Sequence, residues 1–140
     1  MTSTVVYKGD LRTEATHLLS NTLIETDAPL DNNGKGERFS PTDLVATALA
    51  SCMCTLMGIA ARTHDINIDG THCEVEKIMV PNPRRIGEIK VNLHFPKTQS
   101  YSEKEIQILE KAALTCPVFE SLHPDLKKSV SFFWPTLQDA

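Results

Sequence analysis

A chain of 140 residues, 41% hydrophobic and 23% charged, is sized for one domain spanning 1–140 that can bury a real core. Its formal net charge of −4 argues against nucleic acid or an anionic membrane surface as the main partner. Met1-Thr2-Ser3-Thr4 leads straight into strand-like sequence with no basic or apolar leader, so a cytoplasmic chain is expected, with its four cysteines as thiols rather than structural disulfides.

Thr4 to His17 alternates loosely through Val5, Tyr7 and Leu11, with Lys8-Gly9-Asp10 as a turn or bulge signal inside it. A second short strand is predicted around Thr22-Leu23-Ile24. Asp27 to Glu37, rich in Pro, Asn, Asp and Gly, reads as a loop.

Ser40 to Arg62 is the most distinctive stretch, because Leu44 to Ala61 carries no charge. Ser40 can cap a helix, Pro41 suits its first turn, and Asp43 stands where a capping-box carboxylate favours the positive end of the dipole. The run is long enough for a membrane span. Thr47, Ser51, Cys52, Cys54, Thr55 and Gly58 make it only modestly oily, and no Lys/Arg excess marks one flank. A buried core helix is the better reading. On a helical wheel Val45, Leu49, Cys52, Leu56 and Ile59 form a large-residue stripe, and Thr47, Ala50, Ser51, Cys54, Gly58 and Ala61 a small one. Cys52 and Cys54 point to nearly opposite sides. A domain this small needs a second sheet or a second subunit to cover such a helix all round, which favours a dimer.

Ile66 to Val80 reads as a long strand, ended by Pro81-Asn82-Pro83-Arg84. Ile89, Val91, Leu93 and Phe95 alternate with Lys90, Asn92 and His94, so the two strands should form an antiparallel hairpin with one wet face. Ser102 and Glu105 form a capping box for a second helix, with Ile106, Leu109, Ala112 and Ala113 on its apolar face. Cys116-Pro117 ends it and opens a short helix through Leu122. Cys116 then becomes a cap, where a helix N-terminus lowers a thiol pKa. Val130, Phe132 and Trp134 close the chain as a strand. The order predicts an α+β fold, a mostly antiparallel sheet with helices to one side.

Cys52 and Cys116 are therefore the two unusually placed cysteines. The bland alternative is that each is a small buried hydrophobe. A reactive Cys52 sits mid-helix without dipole help and needs a nearby cation, with Arg12, Arg38 and Arg62 as candidates. Metal spacing is poor: there is no C-x-x-C, and His64, His72 and Cys73 make a weak set. His17, His94 and His123 look like surface residues. Nucleotide-binding and serine-hydrolase motifs are missing.

Ser40-Pro41-x-x-Leu44, Ala46, Ala50-Ser51-Cys52 and Cys116-Pro117-Val118, with Tyr7-Lys8-Gly9-Asp10 near the start, resemble the OsmC/Ohr family of osmotically inducible and organic hydroperoxide resistance proteins. The motifs fall in the same order along nearly the whole chain. The resemblance implies an OsmC-like α+β fold in an intertwined homodimer, its long buried helices packed centrally and its sites at the subunit interface. It implies a thiol peroxidase in which Cys52 attacks an organic hydroperoxide, Cys116 resolves the sulfenic acid, and an external dithiol reduces the disulfide. No metal or organic cofactor is implied. The activating arginine would be Arg12, on the opening strand, or Arg38, before the helix. Peroxidase members carry a glutamate directly after the helix-start proline, and that position is Thr42 here. Asp43, the nearest carboxylate, is turned by about 100° on the helix. Two other readings follow: a small-molecule binder that lacks this activation, and a cysteine hydrolase, for which no histidine is placed by sequence beside Cys52. The resemblance assigns no role to Cys54.

Overall fold

The computed structural model of the protein describes residues 1–135. Chain contacts divide it into two compact units, Met1–Val45 and the remainder from Ala46.

The first unit is a three-stranded antiparallel sheet of β1 (Ser3–Gly9), β2 (Arg12–His17) and β3 (Leu23–Asp27), in that order. The predicted turn falls at Asp10 and Leu11, both with positive φ (53° and 62°), the backbone twist that closes tight hairpins. After β3 the chain runs through a 3-10 turn at Leu30–Asn32 and folds back on itself. Gly34 lies so close to Ala28 that an added Cβ would stand 1.7 Å from the Ala28 carbonyl oxygen, so only glycine fits there.

Helix α1 (Pro41–Thr63) begins in this unit and continues into the second. Its capping box forms as expected, with aspartate as the carboxylate. The Ser40 N–H donates to Asp43 Oδ2 and the Asp43 N–H donates to Ser40 Oγ, both at 3.0 Å.

The second unit holds the rest of α1, β4 (His72–Val80), β5 (Arg85–His94), α2 (Glu103–Leu114), α3 (Pro117–Ser121) and β6 (Lys127–Phe133). β5 is the central strand: β4 pairs with it antiparallel and β6 parallel. Ile89, Val91, Leu93 and Phe95 are buried, as the alternation predicts, and share one core with Leu49, Met53 and Met57 of α1 and Leu109 and Ala113 of α2. Phe95 stacks on Trp134 at 3.7 Å between ring centroids, and the Trp134 indole N–H donates to Glu110 Oε1 at 3.0 Å.

Three features differ from expectation. β4 starts at His72 rather than Ile66, because Asn67-Ile68-Asp69-Gly70 makes a turn. There the Asp69 N–H donates to Asn67 Oδ1 at 2.9 Å, and Gly70 has φ +91°. The last strand joins its sheet in parallel, so that sheet is mixed. Helix α1 buries neither predicted stripe as such. Its inner face is Ala46, Leu49, Ala50, Met53, Met57 and Ala61, while Ile59 is 58% exposed and Val45 also faces out. Length and composition alone would let this helix cross a bilayer; here one of its faces packs into the core of the second unit.

Candidate thiol site

Within the second unit the fold brings Cys52 and Cys116 together, though nearly half the chain separates them in sequence. Cys52 is half-buried on α1. Cys116 is fully buried at the joint between α2 and α3. Pro117 forbids α2 from continuing, which leaves Cys116 extended (φ −71°, ψ 152°) as the cap of α3, and its Sγ accepts the Phe119 N–H at 3.4 Å. The expected cap is present, but its electrostatic consequence is reversed. Burial pushes the Cys116 thiol up, the Phe119 and Val118 N–H groups only partly oppose this, and the neighbouring Cys52 thiol adds to the rise. A helix of five residues is too short to outweigh complete desolvation. The arrangement therefore offers a reachable thiol on one side and a protonated, solvent-shielded thiol on the other.

On the opposite side of α1 lies a second contact that sequence reasoning missed. Cys54 Sγ and Cys73 Sγ are 3.1 Å apart, Cys73 lying on the core-facing side of β4 opposite Leu93. The Cys73 S–H shared with Cys54 lowers the Cys54 thiol to about 7 and holds Cys73 protonated. The alternation of β4 could have signalled that Cys73 faces inward with Val75; its partner on the helix could not be read from spacing.

The remaining predicted site residues belong to the first unit, where carboxylates place the two arginines. Arg12 grips Asp27 with both ends of its guanidinium, Nε to Oδ1 at 2.7 Å and Nη2 to Oδ2 at 2.9 Å. Nη2 also reaches Glu37 Oε1 at 3.4 Å, and Asp27 Oδ2 accepts the Glu37 N–H at 3.2 Å. Asp27 is 1% exposed. The hydrogen bonds from Arg12 hold its carboxyl below the usual range against the opposing effect of burial, and they raise the Arg12 guanidinium in turn. Arg38 is more loosely held, donating to Glu25 Oε1 at 3.3 Å and to the Glu37 carbonyl at 3.0 Å. Asp43 serves the α1 cap. Thr42 Oγ1 lies 3.2 Å from Ser40 Oγ.

Asp27 makes the first unit acid-sensitive. A carboxyl with a depressed folded pKa contributes stability above its unfolded value of about 3.9 and loses it as pH falls through the lower folded value. Asp27→Asn should therefore lower Tm by several degrees at neutral pH, with the gap to the parent closing below about pH 4. Thermal scans across that range check it.

Among the described residues no group of three or more His, Cys, Asp or Glu is placed to hold a metal ion. A groove of about 350 Å³, lined by Thr55, Gly58, Ile59, Arg62 and Asp69 among others, runs beside the later half of α1.

Two thiols held together between a long helix and a helix-capping cysteine, in an α+β fold, define a dithiol protein. The family model described as OsmC-like protein matches residues 34–130, and the chain belongs to that family. A candidate osmotic stress induced and detoxification response protein from Psychrobacter arcticus 273-4 is 53% identical, with a TM-score of 0.89 over 94% of this chain and 95% of that one. The organic hydroperoxide resistance protein OsmC of Legionella pneumophila shares the fold at 15% identity, with a TM-score of 0.74 over 95% and 97% of the two chains. An OsmC-like protein from Mycoplasma pneumoniae does so at 22% identity, with a TM-score of 0.75 over 96% of each. No curated protein matches the chain.

Proposed function

We propose that the protein is a thiol-dependent peroxidase that reduces organic hydroperoxides to alcohols in a homodimer. The observation that carries this reading is the Cys52 thiol lying beside a buried, helix-capping Cys116. The Cys52 thiolate attacks the distal oxygen of the hydroperoxide, the O–O bond breaks, and the leaving alkoxide takes a proton to depart as alcohol. Cys52 is left as a sulfenic acid. The Cys116 sulfur then attacks Cys52, water leaves, and a disulfide joins them. An external dithiol restores both thiols by exchange. Neither a metal nor an organic cofactor enters the scheme. The scheme calls for a cation to stabilise the Cys52 thiolate, for which the family resemblance leaves Arg12 and Arg38 as candidates and Asp43 as the candidate carboxylate.

The test is consumption of cumene hydroperoxide in the presence of dithiothreitol. Cys52→Ser should reduce it sharply, and the oxidised parent should yield a Cys52–Cys116 linked peptide. A Cys52→Ser protein that consumes peroxide as fast as the parent would sink the reading.

Thr42, where peroxidase members carry glutamate, favours a second reading: a small-molecule binder without thiolate activation, for which the groove beside α1 is of adequate size. A rise in Tm with cumyl alcohol, in a protein that leaves cumene hydroperoxide intact, would select it.

The homodimer is supported by apolar side chains left in water. Val5, Val6, Tyr7, Leu23 and Ile24 are exposed on the first sheet, as are Val45 and Ile59 on α1. Sedimentation at micromolar concentration is expected to give twice the 15.5 kDa of the chain, and a monomer would remove this part of the proposal.

A further inference from the structure

We propose that Cys54 and Cys73 are a second redox-active dithiol, which hydroperoxides oxidise to a disulfide tying α1 to β4. The proposal stands apart from the Cys52 reading, because it uses different sulfurs on the opposite face of the helix.

Two thiols meeting by chance in a core would be inert. This pair differs in three respects. The sulfurs are 3.1 Å apart, so a change of about 1 Å brings them to the bonding distance near 2.05 Å. Both residues are half-buried, so a small oxidant can reach them. The hydrogen bond between them also divides the labour, since Cys54 is brought to about 7 and is substantially thiolate at neutral pH, while Cys73 retains its proton. One sulfur is thus the nucleophile and the other is poised to resolve it.

The chemistry balances with a hydroperoxide as the oxidant. The Cys54 thiolate takes the distal oxygen, the O–O bond breaks, and the alkoxide collects a proton and leaves as alcohol. Cys73 attacks the resulting sulfenic acid, the S–O bond breaks, and hydroxide leaves with the Cys73 proton as water. Two thiols and one hydroperoxide give one disulfide, one alcohol and one water.

Cys52 and Cys54 lie on one tryptic peptide, between Arg38 and Arg62, so the full-length Cys52→Ser/Cys116→Ser double variant is the cleaner starting protein. One equivalent of cumene hydroperoxide at pH 7 should remove both remaining thiols, lower the intact mass by two hydrogens, and produce a Cys54–Cys73 linked peptide that dithiothreitol reverses. Adding Cys73→Ser should abolish the link and, with a second equivalent of hydroperoxide, drive Cys54 through the sulfenic acid to the sulfinic acid, a gain of two oxygens. The unsubstituted chain should show the same Cys54–Cys73 link, so the result does not depend on how the variants fold. The proposal is overturned if the double variant keeps both thiols in excess hydroperoxide. It is equally overturned if Cys54 gains oxygens while Cys73 stays reduced. Either result leaves the Cys52 peroxidase reading standing, and a sharp fall in turnover in Cys52→Ser leaves this one standing, with the Cys54–Cys73 pair accounting for the residual consumption.

Discussion

Replacing Cys116 with serine should leave the first reaction with hydroperoxide intact and sharply lower turnover. Cys52 carries the attack in this scheme, so its sulfenic acid should still form within a single turnover and be trapped by dimedone. Without a resolving sulfur it should then advance to the sulfinic acid, which dithiols do not reduce. The parent carries a second signature. Burial holds the Cys116 thiol up, and the resolving sulfur must lose its proton to attack. Disulfide closure should therefore still be accelerating as pH rises past about 8.5, where an ordinary exposed thiol is half-titrated. Rapid-quench mass spectrometry across pH 6 to 10 separates this step from the first. A closure rate that levels off well below that point would contradict the buried, protonated Cys116.

Met53→Ala should be the most damaging single change near the thiols that alters no sulfur chemistry. Met53 is fully buried and sits between Cys52 and Cys54, so it is the anchor from which those two side chains diverge. Truncating a buried methionine to alanine costs about 2–5 kcal/mol through lost burial and the cavity left behind. Met53→Leu, which roughly conserves volume, should cost less than about 1.5 kcal/mol. Urea denaturation of the reduced proteins measures both. The alanine variant should also form both disulfides in lower yield, since each needs a sulfur on α1 to meet one on a neighbouring element. Loss of one disulfide with the other untouched would show that Met53 does not position both sides.

The elements legible in the sequence were those whose signals are local. The Ser40–Asp43 and Ser102–Glu105 capping boxes, the β4–β5 hairpin and the Cys116-Pro117 joint each rest on residues within a few positions of one another. Parallel pairing of β6 with β5 has no local signature, because nothing in Lys127–Phe133 records the direction of its distant neighbour. The buried face of α1 was misread for a related reason. Nearly every position of that helix is apolar or small, so periodicity could not choose among its faces, and Met53 and Met57 emerged only from packing.

The thiol site divides along the same line. Motif spacing was enough to single out Cys52 and Cys116, and the fold places them together in the second unit. The sign of the Cys116 shift was not legible, because the depth of burial at a helix joint depends on tertiary packing. Nor was Arg12 distinguishable from Arg38. Their difference lies in Asp27, a buried carboxylate at the end of β3 that matches a whole guanidinium, whereas Arg38 meets partners at the surface. Cys54 and Cys73 stand on elements of different period, so neither a helical nor a strand pattern could pair them.

Because β5 and β6 run side by side in the same direction, the chain must travel the length of the sheet between them, and α2, Cys116 and α3 all ride in that return leg. The sulfur at the α2–α3 joint thus meets Cys52 through packing of this return leg against α1 and β5, with Leu109, Ala113 and Cys116 in the shared core. A ribosome-bound or partly unravelled chain carries the same two cysteines without their mutual proximity. On the proposed reading, peroxide chemistry at this pair would be a property of the finished fold, and labelling of Cys116 by a thiol reagent would gauge whether the α2–α3 joint is packed in place.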